Sequence, residues 1–398
     1  MGLLDGYRLL DLSRLAPGPN ASRLLADMGM EVIKVEEPEQ RGGFDRDTLT
    51  PANGSPDEHV RWAAYNVLAR NKQSIAINLK HEPGRQIFYR LVTTADVVLE
   101  GYRPGVAERL GVGYPKLSEL NPMVIYCSLS LVGQDGPHSG VAGHDAQAQA
   151  ITGMLALGSD EEGNPRHSGY STADHGGALH AVVGILAALL GRPKLGKGQY
   201  IDVAMSDSLL SFVPTFATQY LRDGVQPARG EGWPYHLTVL KCKDGRYIST
   251  QNAETYFWER FCYAIGREDL IPYRRATEFE YPRVVREIRS VMLTKTRDEW
   301  LDILRKADTC VAPVHEFGRG FDDPQNVHRG ATWELDHPVV GKVRQLGFPI
   351  KFSETPGEFR TFAPELGEHT IPILERIGYG QSEIDVLLAN GTVKASGT

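Results

Sequence analysis

An α/β fold with a doubly wound parallel sheet, followed by a smaller α+β domain, is predicted by three features of the sequence. Strand and helix patterns alternate through the first half of the chain, the order expected of a parallel sheet. The length, 398 residues, suits two domains better than one. Beyond Asp223 the alternation ends, and a run rich in Gly, Pro and Arg precedes a hairpin-like element and several helices.

The chain opens with a βαβ pattern. Tyr7 to Leu12 is a short apolar strand, and the prolines that follow interrupt it. Asn20 is a suitable cap for a helix over residues 21–28, which Gly29 ends, and Glu31 to Val35 is a buried strand. Such a unit implies a right-handed crossover between parallel strands. The pattern continues with strands at 74–79, 96–99 and 123–128 and a helix at 84–92.

The second half of the chain supplies the remaining elements. Residues 44–66 are predicted to be a long irregular connection, whereas residues 178–190 form a buried helix that leads to a strand at 200–204. We assign residues 1–222 to the large domain, 223–330 to the small one, and 331–398 to a return into the large domain and a C-terminal tail. In the small domain we predict strands at 237–241 and 247–250 and helices at 257–265, 282–293 and 297–306.

Composition and charge argue against several classes of function for this chain. The formal net charge of −7 gives a nucleic-acid partner no electrostatic support. No pair among the four cysteines has metal-ligand spacing, so we expect no metal site. The N-terminus shows no secretory signal, and residues 178–190 are too few for the roughly 20 that span a bilayer. We therefore expect a cytoplasmic protein without a membrane partner.

Two common enzyme types are poorly supported by the motifs. The loop Leu15-Ala16-Pro17-Gly18-Pro19 stands where a dinucleotide-binding loop would be, but prolines replace the glycines that let a backbone approach a pyrophosphate. A serine hydrolase is equally unsupported, because the chain has no G-x-S-x-G turn.

Three residues are candidates for acid–base or nucleophilic chemistry. His144 precedes a predicted helix, where the dipole disfavours an imidazolium and leaves a neutral base; the alternative is a capping histidine. Asp174 precedes the apolar helix and is followed by Gly176-Gly177, which leave room for a ligand; the alternative is an ordinary helix cap. Glu254 precedes an aromatic helix; as an isolated acid it is more simply explained as a first-turn helix charge.

Several runs of the chain resemble, in order and over nearly its whole length, the family III CoA-transferases. This superfamily includes the crotonobetainyl-CoA/carnitine and formyl-CoA transferases and also α-methylacyl-CoA racemase. The runs are DLSRLAPGP (11–19), LADMG (25–29), VIKVE (32–36), RNKQSI (70–75), EGYRPGV (100–106), ERLG (108–111), GHD (143–145), Asp174 with its two glycines, GKGQ (196–199) and DTCVAPV (308–314).

The resemblance implies a Rossmann-like large domain built from both chain ends and two chains interlocked as a homodimer. It implies an acyl-CoA thioester as the substrate, with no further cofactor. Catalytic roles fall on Asp174, on His144 and on Glu254, which would orient the histidine. Positions suited to contact CoA are Arg103, Arg70, Lys72, Ala16 and Pro17.

Two reactions are compatible with these residues. Racemisation of a 2-methylacyl-CoA needs two acid/base groups flanking the α-carbon, and His144 and Asp174 are such a pair. CoA transfer between carboxylic acids needs a nucleophile, a role for which Asp174 suffices. The co-occurrence of the LAPGP run (15–19) with His144, Glu254 and Asp174 makes racemisation the preferred prediction, with CoA transfer as the alternative.

Overall fold

The computed structural model describes residues 2–39, 56–160, 163–226, 239–275 and 279–397. Two compact units are present. The first comprises Met1–Met154, His167–Ala217 and Gly330–Thr398, and the second comprises Leu155–Arg166 and Thr218–Arg329. These divisions lie within a few residues of the predicted boundaries at 222 and 330. The segment Leu155–Arg166 is an addition to the second unit that the sequence did not predict.

A seven-stranded sheet forms the centre of the first unit. The strands of the described residues are β1 (Arg8–Asp11), β2 (Glu31–Glu36), β3 (Lys72–Ile77), β4 (Val97–Glu100), β5 (Ile125–Ser130), β6 (Tyr200–Ala204), β7 (Val239–Lys241), β8 (Tyr247–Thr250), β9 (Val311–Pro313), β10 (Thr332–His337), β11 (Gly341–Leu346) and β12 (Val393–Lys394). The sheet has the order β12-β3-β2-β1-β4-β5-β6. All neighbours pair in parallel except β12, which runs antiparallel to β3. The order of β1 to β6 is that of a doubly wound Rossmann sheet, which confirms the predicted α/β class.

Helices alternate with these strands. They are α1 (Pro17–Asp27), α2 (Pro56–Tyr65), α3 (Glu82–Val92), α4 (Val106–Arg109), α5 (Tyr114–Leu120), α6 (Asp145–Ile151), α7 (Met154–Leu157), α8 (Thr172–Leu195), α9 (Met205–Leu210), α10 (Pro214–Asp223), α11 (Thr255–Ala264), α12 (Tyr281–Met292), α13 (Arg297–Lys306), α14 (Phe317–Gly320), α15 (Pro324–His328), α16 (Thr370–Arg376) and α17 (Gln381–Ala389). Short 3-10 segments occupy Val67–Ala69 and Glu268–Arg275.

The sheet is covered on both faces, and its strands divide their side chains between two cores. Leu9 and Val97 pack into a core that includes residues of α1 and α8. Their neighbours Leu10 and Val98 point the opposite way, into a core that includes residues of α3, α16 and α17. This follows from the period of two in a strand, and burial on both faces explains why the strands are almost continuously apolar.

Helix α1 begins earlier than the sequence predicts. Pro17 occupies its first position, where a missing N–H costs nothing and the fixed φ of proline suits the helix. Asn20 is therefore inside the helix, and its backbone N–H donates to the carbonyl of Ala16 at 3.0 Å. The prediction of Asn20 as the cap is wrong.

Helix α8 is longer than the predicted segment 178–190, because it begins at Thr172 and continues to Leu195. By length and composition this helix of 24 residues is sufficient to cross a membrane, which corrects the prediction that it is too short. The core helix of a globular protein meets the same criteria, and half of the apolar window of α8 is buried. Its buried residues, such as Ala181 and Ile185, belong to the core beneath the sheet.

The second unit contains the antiparallel sheet β7-β8-β9 and the helices α11 to α15. Its core includes Trp258, Phe261 and Trp300, which are almost fully buried. Strand β7 begins at Val239, and the first two residues of the predicted strand lie outside the described residues. So do residues 44–55 of the predicted irregular connection, whereas its last part forms α2 rather than a loop.

Candidate active site

A cavity of about 520 Å³ lies at the carboxyl ends of the central strands of the first unit. Residues 14–18 follow β1, residues 101–104 follow β4, and residues 129–133 end β5; all three segments line it. The strand order reverses between β1 and β4, and ligands of open α/β sheets bind at such a point, beyond the carboxyl ends of the strands. The volume lies within the range for small-molecule sites.

The segment after β1 is closely packed. Leu15 has a φ of +62°, a strained conformation for a leucine, and it lines the cavity. Gly18 is required by the same turn, because a Cβ there would lie 2.1 Å from the Cβ of Ser13. Pro17 and Pro19 have no N–H, so the start of α1 offers a pyrophosphate fewer donors than a glycine-rich loop would.

Asp174 lies in the first turn of α8 and lines the cavity. Burial raises the pKa of its carboxyl to about 6, and the negative charge of Asp145 acts in the same direction. His175 and His144, together with a hydrogen bond from Ser171, partly oppose this rise. Above that pKa the group is an ionised carboxylate that is more basic than an exposed aspartate, and therefore suited to act as a nucleophile or base.

His144 lines the same cavity as Asp174, so the structure brings these two predicted residues together. It directly precedes α6, and its backbone N–H donates to Oε1 of Gln147 at 2.9 Å. The imidazole itself is exposed.

Glu254 belongs to the second unit, where it is exposed and directly precedes α11. Its carbonyl accepts a hydrogen bond from the N–H of Trp258 at 2.9 Å. The role of its carboxylate in orienting His144 remains a prediction.

The two glycines after Asp174 serve a different purpose from the predicted one. A Cβ on Gly177 would lie 2.9 Å from Cγ of Met205, and one on Gly176 would lie 2.9 Å from the ring of Phe212. They allow α8 to pack closely against its neighbours rather than leaving space for a ligand. Met205, brought close in this way, lines the cavity.

Three of the five predicted CoA-contacting residues, Arg103, Ala16 and Pro17, line the cavity. Arg103 is exposed and follows β4, where its guanidinium is accessible to an anion. A role for all three in binding CoA remains a prediction.

The other two predicted CoA-contacting residues, Arg70 and Lys72, are buried, and their side chains donate hydrogen bonds to other groups of the protein. Arg70 donates to both carboxylate oxygens of Asp27, at 3.1 and 2.6 Å, and also to the carbonyl of Leu346. Its guanidinium also stacks on the ring of Trp333, 4.6 Å from the ring centre. Since its side chain is fully buried, the prediction that Arg70 contacts a CoA phosphate is corrected to a structural role.

Lys72 is corrected in the same way. Its Nζ donates to Asp11 Oδ2 at 3.2 Å, to Ser22 Oγ at 2.7 Å and to the carbonyl of Pro19 at 3.0 Å. Burial lowers the pKa of Lys72 to about 8, although the charge of Asp11 opposes the change. The ammonium therefore ties β3 to β1 and to α1, and has no donor left for a phosphate.

Sequence reasoning overlooked Asp145, the first residue of α6. Its Oδ1 accepts the backbone N–H groups of Ala173 and Asp174, at 2.6 and 3.2 Å. An aspartate in the first turn of a helix is ordinary, so only the fold reveals that this carboxylate reaches a second helix start. Among the described residues no group of three or more His, Cys, Asp or Glu side chains is placed to hold a metal ion.

The family model described as CoA-transferase family III matches residues 4–370 of the chain. The chain belongs to CoA-transferase family III. Human succinyl-CoA:glutarate CoA-transferase is 32% identical over 401 residues, which cover 98% of this chain and 90% of that protein. Succinyl-CoA:mesaconate CoA-transferase of Haloarcula hispanica is 33% identical over 391 residues, covering 96% and 98%. Formyl-CoA:oxalate CoA-transferase of Rhodopseudomonas palustris is 29% identical over 425 residues, covering 98% and 97%.

Solved structures of similar proteins agree with the family assignment. A CAIB/BAIF family protein from Brucella suis has a TM-score of 0.79 and 28% identity, covering 94% of this chain and 99% of that one. A protein from Mycobacterium tuberculosis gives the same four values. The resemblance inferred from the sequence is thus confirmed. The names of the family III relatives support CoA transfer, the alternative prediction, better than the preferred prediction of racemisation.

Proposed function

We propose that this family III enzyme transfers coenzyme A from an acyl-CoA thioester to a free carboxylic acid, with Asp174 as the covalent nucleophile. The observation that carries the proposal is the position of Asp174, a carboxylate in the wall of a cavity at the sheet's switch point. Its raised pKa favours it as a nucleophile, because a more basic carboxylate attacks a thioester more readily.

The first half of the reaction moves CoA onto the enzyme. The Asp174 carboxylate attacks the thioester carbonyl, the carbon–sulfur bond breaks, and CoA leaves as a thiolate. The product on the enzyme is a mixed anhydride between Asp174 and the donor acyl group. The thiolate then attacks the aspartyl carbonyl, which gives an Asp174–CoA thioester and releases the donor as a carboxylate.

The second half repeats these steps in reverse with another acid. The acceptor carboxylate attacks the aspartyl thioester and displaces the CoA thiolate, which leaves an anhydride of Asp174 and the acceptor. Attack of the thiolate on the acceptor's carbonyl forms the new acyl-CoA and restores the Asp174 carboxylate. No proton or electron needs an outside source, so the two carboxylic acids simply exchange CoA.

We further propose that the acid that accepts CoA is a dicarboxylic acid. The support is that relatives with 29–33% identity are named for succinyl-CoA with glutarate or mesaconate and for formyl-CoA with oxalate. Arg103 at the cavity is placed to hold an anionic part of the thioester substrate. The homodimer, the cytoplasmic location, and the absence of nucleic-acid and membrane partners remain predictions; light scattering of the purified protein tests the first.

The experiment that tests the proposal is incubation of the purified protein with succinyl-CoA and, separately, glutarate, mesaconate or oxalate. Chromatography of the thioesters should show a new acyl-CoA that appears only when the acceptor acid is present. Rapid acid quenching during turnover, followed by peptide mass spectrometry, should place CoA on Asp174.

Racemisation is distinguished by a parallel incubation of a (2R)-2-methylacyl-CoA in deuterated water without an acceptor acid. NMR should show no deuterium at the α-carbon. Deuterium incorporation with loss of chirality, together with no transfer to any acid, would overturn the proposal and assign the cavity to His144 and Asp174 as two proton carriers.

The pH dependence of transfer should follow the ionisation of Asp174. Only the carboxylate is nucleophilic, and its pKa in the folded protein is raised to about 6. We therefore expect kcat/KM to be constant above that pH and to fall about tenfold for each unit below it, provided the substrates stay ionised. A limb near pH 4, where an exposed aspartate titrates, would contradict this assignment.

A further inference from the structure

The carboxylate of Asp145 joins two helix starts that meet at the cavity. Oδ1 accepts the N–H groups of Ala173 and Asp174 in the first turn of α8. Asp145 itself is the first residue of α6 and directly follows His144, which lines the cavity. One nearly buried carboxylate therefore connects the start of α6 to the start of α8, beside two residues that line the cavity.

The second carboxylate oxygen of Asp145, Oδ2, is hydrogen-bonded by two other side chains. Nε2 of His167 lies 3.1 Å from Oδ2, and the amide of Gln149, one turn further along α6, also donates to it. The backbone N–H of Gly169 donates to Nδ1 of His167 at 3.0 Å, so Nδ1 carries no proton. Nε2 is then the ring nitrogen that donates to Asp145.

We propose that Asp145, fixed by His167, is a positioning residue that sets the rotation of the first turn of α8 and thereby the direction and protonation of the Asp174 carboxylate. The proposal deepens the proposed function, since it concerns the same nucleophile. Asp145 touches no substrate in this role; it acts through the backbone of Ala173 and Asp174.

The charges around Asp174 agree with this role. Asp145 on α6 raises the pKa of Asp174, whereas His144 before α6 and His175 on α8 lower it. Since Asp145 is the anion in this group, its neutralisation leaves burial as the main remaining cause of the raised pKa.

The test compares Asp145→Asn with Asp385→Asn. Asp385 is an exposed helical carboxylate that likewise bonds a glutamine amide four residues away, that of Gln381, at 2.8 Å. In Asp145→Asn we expect the acidic limb of kcat/KM to move to lower pH and kcat at its plateau to fall roughly tenfold to a hundredfold. Asp385→Asn should reproduce the unmodified protein in both respects.

If Asp145→Asn folds poorly, variants of His167 test the same proposal, because His167 contacts the Asp145 carboxylate. His167→Gln retains an N–H donor for Asp145 and should keep most of kcat, whereas His167→Ala should lower kcat with little change in KM. An acidic limb unchanged in Asp145→Asn would overturn the proposal, as would equal activity in the two His167 variants.

A titration without substrate separates this proposal from the proposed function. The aspartate carboxyl carbons are labelled with ¹³C, and the Asp174 signal is assigned by its loss in Asp174→Asn. A lower Asp174 pKa in Asp145→Asn shows that Asp145 controls the protonation of Asp174, even if no acyl-CoA is turned over. An unchanged Asp174 titration would refute the role even in a fully active transferase.

Discussion

Replacing Asp174 by asparagine is expected to reduce CoA transfer by at least about a thousandfold, the scale of effect seen when a covalent nucleophile is removed. The amide is close in size to the carboxylate but cannot form the anhydride. Binding of acyl-CoA should survive, because no part of the proposed CoA contact depends on that charge. Steady-state transfer and equilibrium binding, measured on the same preparation, separate the two effects.

A matched control is Asp207→Asn. Asp207 is also an aspartate in the first turn of a helix, α9, but it is exposed and not among the residues that line the cavity. This variant should retain full transfer activity and should accumulate as much enzyme-bound CoA as the unmodified enzyme. Substantial transfer by Asp174→Asn would remove Asp174 from the covalent mechanism and with it the proposed function.

Replacing Arg70 by alanine is expected to lower the free energy of unfolding by about 3 kcal/mol, because the buried carboxylate of Asp27 loses two hydrogen bonds and one of its two arginine partners and, within the described part of the chain, keeps only Arg23 and the amide of Asn71. It also removes the hydrogen bond to the carbonyl of Leu346, which attaches the C-terminal segment of the first unit to the N-terminal part of the same unit. Urea denaturation followed by circular dichroism measures the change.

Arg103→Ala is the matched variant, since the resemblance assigned both arginines to CoA. Arg103 is exposed at the cavity, so its loss should raise KM for the acyl-CoA and leave the denaturation midpoint unchanged. If Arg70→Ala instead raised KM at unchanged stability, the structural role of Arg70 would be refuted and a contact with CoA supported.

The local pattern of apolar residues was sufficient to predict most of the strands of the first unit. Strand β6 is observed at the predicted residues, and β1, β2 and β5 differ from their predicted ranges by one or two residues. These predictions succeeded because strands buried on both faces are apolar runs bounded by clear breaks. Helix ends were less predictable. Asn20 has the chemistry of a cap, yet proline at the first position of α1 moved the start forward.

Some features of the candidate site could be predicted from the sequence and others could not. Short motifs identify Asp174 and His144 as candidate residues, and the fold brings both to one cavity. Which basic residues are accessible is not readable from motifs. Arg70 and Lys72 have the composition of a phosphate site, but whether a cation faces solvent or a buried carboxylate depends on residues distant in the chain, here Asp27 and Asp11.

The sequence by itself determined the α/β class, the family and the identity of the candidate nucleophile, because these depend on local periodicity and on short motifs. Tertiary structure alone decided that Asp145 contacts the first turn of α8, that Gly177 accommodates Met205, and that Arg70 is structural. Each of these depends on contacts between segments far apart in the chain. Such contacts fix burial and hydrogen-bond partners, and these in turn set the protonation and accessibility of every side chain at the site.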